Sequence, residues 1–360
     1  MANVVLITGV ARPLGGAFAR ALSASGSADL ILGVDVVPPA HSIGDAQFLR
    51  ADIRSPMIGK IIDSYAIDTV VHMGVIATPL GVGGRTTQKE INVIGTMQLL
   101  AAAQKSPQVR RLVVKSTAGV YGSSHRDPAM FTEEMAAKAL PKLGFAKDSV
   151  DVESYVRGFA RRRPDVEISL LRFANVIGPR IRTAMTDYFR LPLIPVPLGW
   201  DGRLQFVHED DVIAATLRAT TGPAVGTVNV AGDGVITVGQ AAALTGRPWA
   251  RMPVPACSAL ASAYKRAGQL DASPEQLDLF VYGRGLDTSR MRTHLGFTPQ
   301  YSTRAAFTDF IGAGTPPLVA AGTQLAGLGA QVRAAVGALG TASSTGALSS
   351  TGLSSSRSRV

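Results

Sequence analysis

Val4-Val5-Leu6-Ile7-Thr8-Gly9-Val10-Ala11-Arg12-Pro13-Leu14-Gly15-Gly16 carries a short, largely β-branched apolar run straight into a glycine-containing turn and then a helix start. A run of this kind bounded by glycine reads as a buried strand, and the stretch from Ala17 to Ser25 reads as a helix. A strand, a tight glycine turn and a helix N-terminus together make an anion-binding corner, because the first helical amides point at whatever sits there. Gly9 suits the tight turn and Gly15 the close approach of helix to sheet, while the first amides, Leu14 among them, face a pyrophosphate. The middle glycine of a Gly-x-x-Gly-x-x-Gly spacing is replaced by Arg12, so a Cβ and a cation stand where backbone normally approaches phosphate.

Outward from this corner the same alternation repeats. Leu30–Val34, Asp68–His72, Arg111–Lys115 and Glu167–Leu171 read as further strands, with helices at Ile91–Gln104 and from about Ser149 to Arg162. Strands alternating with helices predict an α/β fold built on a doubly wound parallel sheet. Asp35 ends the second strand, 26 residues after Gly9. An acid at that distance suits the ribose hydroxyls of an adenosine and repels a 2′-phosphate, favouring NAD over NADP. Asp52-Ile53 after the next short strand is placed to flank an adenine.

The chain has 360 residues, 46% hydrophobic and 17% charged, which suits a large globular α/β unit and not a charged disordered chain. Cys257 is the single cysteine, so an internal disulfide and a cysteine-rich metal site are excluded, and the five histidines show no metal spacing. The start of the chain lacks the basic-then-apolar pattern of a secretory signal, and the cytoplasm is the expected compartment. The formal charge of +10 comes from 36 Lys and Arg against 26 Asp and Glu. Arg110-Arg111 and Arg161-Arg162-Arg163 fall between helix-like and strand-like segments, where cations favour helix C-termini. No aromatic-interleaved basic stripe accompanies them, so nucleic acid is not the expected partner. From about Gly312 the composition turns to Ala, Gly, Ser and Thr without acids. Glycines, Gln324, Gln331 and Arg333 interrupt any membrane span there, and a flexible tail is expected in preference to membrane contact.

The order of motifs resembles the extended short-chain dehydrogenase/reductase family, within it the NAD-dependent epimerase/dehydratase group that includes UDP-glucose 4-epimerases, in wording nearest their actinobacterial members. The resemblance runs from Val4 to about Phe310. It rests on Thr8-Gly9 with Gly15, on Asp35, on Asp52-Ile53, on His72, on Asn92-Val93-Ile94-Gly95-Thr96 and on Ser116-Thr117-Ala118-Gly119-Val120-Tyr121-Gly122. Leu171 to Pro179, Gln205 to Val212 and Asp287-Thr288-Ser289-Arg290 with Leu295-Gly296-Phe297 follow in the family's order. It implies a Rossmann-type domain over 1–174 and a substrate lobe over 175–311, with segments such as 205–235 returning to the core, followed by the tail at 312–360. It also implies NAD held by Gly9, Arg12, Leu14, Gly15, Asp35, Asp52, Ile53, His72 and Asn92, a nucleotide-sugar or related small molecule as substrate, and a homodimer through the helices near 91–104 and 149–162.

Family members pair a tyrosine base with a lysine one helical turn on, and add a Ser or Thr hydroxyl. The resemblance places Thr117 at the hydroxyl position. In the matching register Phe145-Ala146-Lys147-Asp148-Ser149 puts Phe145 in place of tyrosine and Ser149 in place of lysine. Lys147 lies roughly 200° around the helix from Phe145, and Tyr155 roughly 80° off its face, so neither restores the pair. His72, His125 and Lys115 are the alternative bases, each also readable as structural. Asn175, Arg180, Arg203 and Arg284, with Arg182 beside them, are the candidates for meeting a nucleotide diphosphate. Asn175 is equally readable as a turn-capping amide, and Leu204 stands where epimerases carry an arginine. Two readings follow, an NAD-dependent enzyme with an atypical site and a nucleotide-binding pseudoenzyme that serves as a partner or sensor.

Overall fold

The computed structural model describes residues 3–77, 83–270 and 274–312. The low-complexity tail expected from 312 onward lies, except for Gly312, outside the described residues. The first half runs β1 (Val4–Thr8), α1 (Pro13–Ser25), β2 (Leu30–Asp35), β3 (Gln47–Arg50), α2 (Met57–Ser64), β4 (Thr69–His72) and α3 (Arg85–Lys89). A π-helical turn, Glu90–Gly95, joins α3 to α4 (Thr96–Lys105), and β5 (Arg111–Thr117), α5 (Gly144–Arg162) and β6 (Glu167–Phe173) follow. The second half holds β7 (Asn175–Ile177), α6 (Ala184–Phe189), β8 (Ile194–Pro197), β9 (Arg203–Leu204), β10 (Phe206–His208), α7 (Glu209–Thr221) and β11 (Gly226–Val230). It closes with β12 (Ile236–Thr237), α8 (Val238–Leu244), β13 (Trp249–Met252), α9 (Val254–Arg266), α10 (Pro274–Tyr282), α11 (Ser289–Thr293) and α12 (Thr303–Gly312).

Seven strands form one sheet in the order β11-β6-β5-β4-β1-β2-β3, parallel throughout. This is the doubly wound α/β fold that the alternation predicts. Strands apolar on both faces require cover on both sides, and they receive it. Phe18, Leu22, Val212 and Ala215 pack against one face through α1 and α7. Ile58, Leu99, Val152 and Phe159 of α2, α4 and α5 cover the other. Three two-stranded sheets, β7 with β10, β9 with β12 and β8 with β13, frame a third apolar cluster around Phe189, Phe206 and Phe307.

The helices begin earlier than their apolar periodicity suggests. α1 starts at Pro13, where a missing N–H costs nothing, and α5 starts at Gly144 with few apolar residues in its first turn. The arginine clusters work as helix-end ligands. Arg163 donates to the carbonyls of Ala103, Gln104, Ser106 and Val109 at the end of α4, and Arg111 to those of Thr220 and Gly222 at the end of α7. The strand order reverses at β1, since β2 and β3 lie on one side and β4, β5, β6 and β11 on the other. In such sheets the crevice beyond the carboxyl ends of the strands at the reversal is where ligands bind.

Candidate active site

At the nucleotide end, backbone makes the geometry. Gly9 has φ +81°, and a Cβ there would come within 2.7 Å of the Gly74 Cα. A Cβ on Gly15 would meet the Gly9 carbonyl oxygen at 2.1 Å. Only glycines let α1 settle onto the turn, and this cradle fits a dinucleotide's pyrophosphate. Gly74, just past β4, is a partner in this packing that the sequence reading missed. Arg12 is the N-cap of α1 without a side-chain cap bond. Asp35 closes β2, its carboxylate accepting the Ala11 amide at 3.1 Å and the Val36 amide at 2.8 Å, so it is fixed beside the turn.

Asp52 is held by Arg54, whose Nη2 lies 2.7 Å away. Hydrogen bonding to Arg54 keeps the Asp52 carboxyl below the usual range, against the opposing effect of burial. Ile53 is buried and fills the space over Gly95. His72 and Asn92 are tied into the frame. His72 Nδ1 lies 2.7 Å from Thr8 Oγ1 and its Nε2 2.8 Å from Thr96 Oγ1. Burial, followed by the charge of Lys115, pushes its imidazole down to about 3, which leaves no proton acceptor free for catalysis. Asn92, presented by the π-helical turn, accepts from the Ile76 amide at 2.7 Å and donates to the Ile76 carbonyl at 2.9 Å. It clamps the segment that follows β4.

The second end is a cleft of about 1150 Å³ over the carboxyl ends of β5 and β6, lined among others by Lys115, Thr117, Phe145, Asn175 and Arg284. Lys115 and Thr117 share a face of β5 by the two-residue period of a strand. Thr117 Oγ accepts from the Gly119 amide at 3.1 Å, leaving its O–H free to donate into the cleft. Phe145 packs on the core beside α4 and lines the cleft, and Ser149 is buried with its hydroxyl on the Phe145 carbonyl at 2.9 Å. Lys147 pairs with Asp151, and Tyr155 packs into the core. His125 is exposed near Tyr282, their ring centroids 6.2 Å apart.

The diphosphate candidates separate. Arg284 lines the cleft with Nη1 on the Gly122 carbonyl at 2.8 Å, and burial lowers it to about 10. Arg180 is engaged by Glu209 and Asp210, and Arg182 by Asp187. Neither they nor the exposed Arg203 lines the cleft. Two buried ionic groups support the floor. Asp148, one residue before Ser149, is fully buried and gripped by Arg85, with Nη2 to Oδ1 2.7 Å. Arg172 binds Glu153 with Nη2 at 2.7 Å and Tyr121 Oη with Nη1 at 2.8 Å, and Ser116 donates to Glu153 at 2.7 Å. No local pattern announces either pair, because their partners are distant in sequence.

Among the described residues no group of three His, Cys, Asp or Glu side chains could hold a metal, and no helix is long and apolar enough to cross a membrane. A parallel sheet with a glycine cradle, an acid at the end of β2 and a cleft over β5 is the arrangement of a Rossmann-type α/β protein. The model of the NAD dependent epimerase/dehydratase family matches residues 5–231, and the chain belongs to that family. An uncharacterized protein of Mycobacterium tuberculosis is 42% identical over 324 residues, 88% of this chain and 86% of the relative. Among solved structures, the UDP-glucose 4-epimerase of Thermotoga maritima with UDP-glucose has TM-score 0.66 at 20% identity, covering 86% of this chain and 98% of the other. The dTDP-glucose 4,6-dehydratase of Bacillus anthracis in complex with NAD has TM-score 0.65 at 17% identity, covering 87% and 96%. At these identities the two structures share the fold.

Proposed function

We propose that the protein binds NAD along the carboxyl edge of the sheet and acts at a hydroxyl-bearing carbon of a nucleotide-sugar, as an epimerase- or dehydratase-like enzyme with an atypical active site. The observation that carries this reading is the placement of both features at the carboxyl edge of one parallel sheet, the glycine turn and Asp35 beyond β1 and β2 and the cleft beyond β5. A glycine cradle and the Asp35 carboxylate stand at one end, and a cleft containing Thr117 and basic side chains at the other, Lys142, Lys265 and Arg284 among them, with Asp278 as its carboxylate. A cationic lining suits a phosphorylated ligand. Gly9, Leu14 and Gly15 would hold the pyrophosphate and Asp35 the adenosine ribose, its charge disfavouring a 2′-phosphate. Bound there, NAD supplies a two-electron acceptor and donor. Thr117 donates its hydroxyl proton to the substrate oxygen, steadying charge as it develops. Arg284 holds the far phosphate. In this reading residues 175–311 supply most of the substrate lobe, and the outer faces of α4 and α5 form a homodimer contact.

A second reading, a nucleotide-binding pseudoenzyme, is favoured by Phe145 and Ser149, which leave two neutral positions where family members carry the base and its cation. Purified protein incubated with NAD and UDP-glucose or UDP-galactose separates the two. Epimer formation lost in Thr117→Ala supports the enzyme. NAD binding without turnover across a panel of nucleotide-sugars supports the pseudoenzyme, and gain of turnover in Phe145→Tyr with Ser149→Lys would indicate an intact substrate pocket. Absence of NAD binding at millimolar concentration contradicts both.

A further inference from the structure

An ammonium enclosed by protein needs an anion or several acceptors, since desolvation otherwise costs more than its hydrogen bonds return. Lys115 has one acceptor, the Val75 carbonyl at 3.0 Å, and among the described residues no carboxylate pairs with it. The groups around it supply none. On β4, His72 is neutral between its two threonines. On the turn before α1, Arg12 has the same sign and is near enough to repel it. α1 carries no acid in its first turn. On β6, Leu171 is the register partner, and Arg172 with Glu153 belongs to the opposite face together with Ser116. On α5, Asp148 is taken by Arg85. Asp278, the carboxylate of the same cleft, is not paired with it either, and a ligand entering the cleft can supply the anion.

Position says which part of the ligand. Val75 follows Gly74, the residue against which Gly9 packs, so the Lys115 ammonium stands beside the turn that leads into the N-terminus of α1. A helix N-terminus favours negative charge, and here a half-buried cation at the cleft wall, poor in partners, is directed to the same place. We propose that Lys115 is a ligand of the cofactor's diphosphate, forming with Arg12 and the amides opening α1 a two-cation clamp on the bridge between the two nucleotides. This rests on the NAD-binding reading above. The clamp also accounts for Arg12 in place of the middle glycine, because added charge replaces the close backbone approach that a Cβ prevents.

Burial, with Arg12 adding to it, lowers the Lys115 amine to about 8, so the clamp is charged at neutral pH and discharged in mild alkali. The test is calorimetric titration of the full chain with NAD, ADP and adenosine at about pH 7 and about pH 9.5, for the wild type, Lys115→Met and Lys115→Arg. ADP carries the diphosphate and adenosine does not. The expected result is wild-type affinity for NAD and ADP that falls about tenfold from the lower to the higher pH. At the lower pH, Lys115→Met weakens both about tenfold with adenosine unchanged, and Lys115→Arg binds equally at both pH values. A folded Lys115→Met that binds NAD and ADP as the wild type does overturns the clamp, including the case in which turnover alone is lost, which would assign Lys115 to the reacting end. Wild-type protein that binds none of the three at millimolar concentration overturns the NAD reading itself, a result distinct from a Lys115 failure.

Discussion

The two ends of the crevice are built on different principles. The nucleotide end is made by backbone: Gly9 against Gly74 and Gly15 against the Gly9 carbonyl are contacts that a single Cβ would break. The cleft end is made by side chains, Thr117 and Phe145 among those lining it, and Phe145 and the buried Ser149 sit in an unbroken helix that does not depend on which side chains it carries there. A site defined by backbone packing is bound to the fold's stability and resists change, whereas a site defined by side chains can change its chemistry within an unchanged scaffold.

The largest effect is expected beneath the cleft end. Arg172→Met leaves Glu153 in the floor without its main counter-charge, and we expect a loss of about 3–5 kcal/mol in denaturant unfolding. A loss comparable to that of an exposed residue would show that the floor is not a fixed support.

Next is Lys115→Met. The amine falls from 10.5 in the unfolded chain to about 8 in the folded one. Between these values the unfolded state holds more protons, so wild-type stability rises as pH climbs from about 8 to about 10.5 and the burial penalty is complete below pH 8. The variant is expected to be more stable than the wild type near pH 7 by about 3 kcal/mol and to lose that alkaline slope. A less stable variant would show that the ammonium is satisfied by the protein, sharpening the comparison against a ligand-seeking cation.

Gly15→Ala attacks the nucleotide end directly, placing a methyl 2.1 Å from the Gly9 carbonyl oxygen. We expect about 1–3 kcal/mol of destabilisation with NAD binding lost, measured by thermal melting and calorimetry. Retained binding would mean that the cradle adjusts and that the contrast between the two ends is overstated. The smallest change is at Asp35. Asp35→Ser removes the charge expected to repel a 2′-phosphate, and the NADP-to-NAD affinity ratio should rise about tenfold. An unchanged ratio would show that the ribose does not lie against this acid.

The same contrast explains what could be read in the sequence. β1, β2, β4, β5 and β6 are apolar runs whose period and bounding residues are local, and Gly9, Gly15 and Asp35 are recognisable from spacing alone. Thr117, Phe145 and Ser149 fall at motif positions, so the two departures from the motif are visible as well. Gly74 escaped because its role arises from a contact with a residue on another strand. The Arg85–Asp148 pair joins α3 to α5 across α4 and β5, and carries no periodic signal. Arg180 reads as a candidate phosphate ligand because it is an arginine in the region of the substrate lobe, but the fold brings Glu209 and Asp210 to it. His72 reads as an alternative base in sequence. In the fold, two threonines from other elements take both ring nitrogens and burial keeps it neutral.

A crystal structure of the protein grown with millimolar NAD tests most directly whether a dinucleotide runs from the Gly9 turn to Thr117. The predicted result is density with the diphosphate over the Gly9–Gly15 turn and within hydrogen-bonding reach of Lys115, the adenosine ribose on Asp35 and the nicotinamide beside Thr117. An empty crevice under those conditions, or a nucleotide bound away from the Gly9 turn, would contradict it.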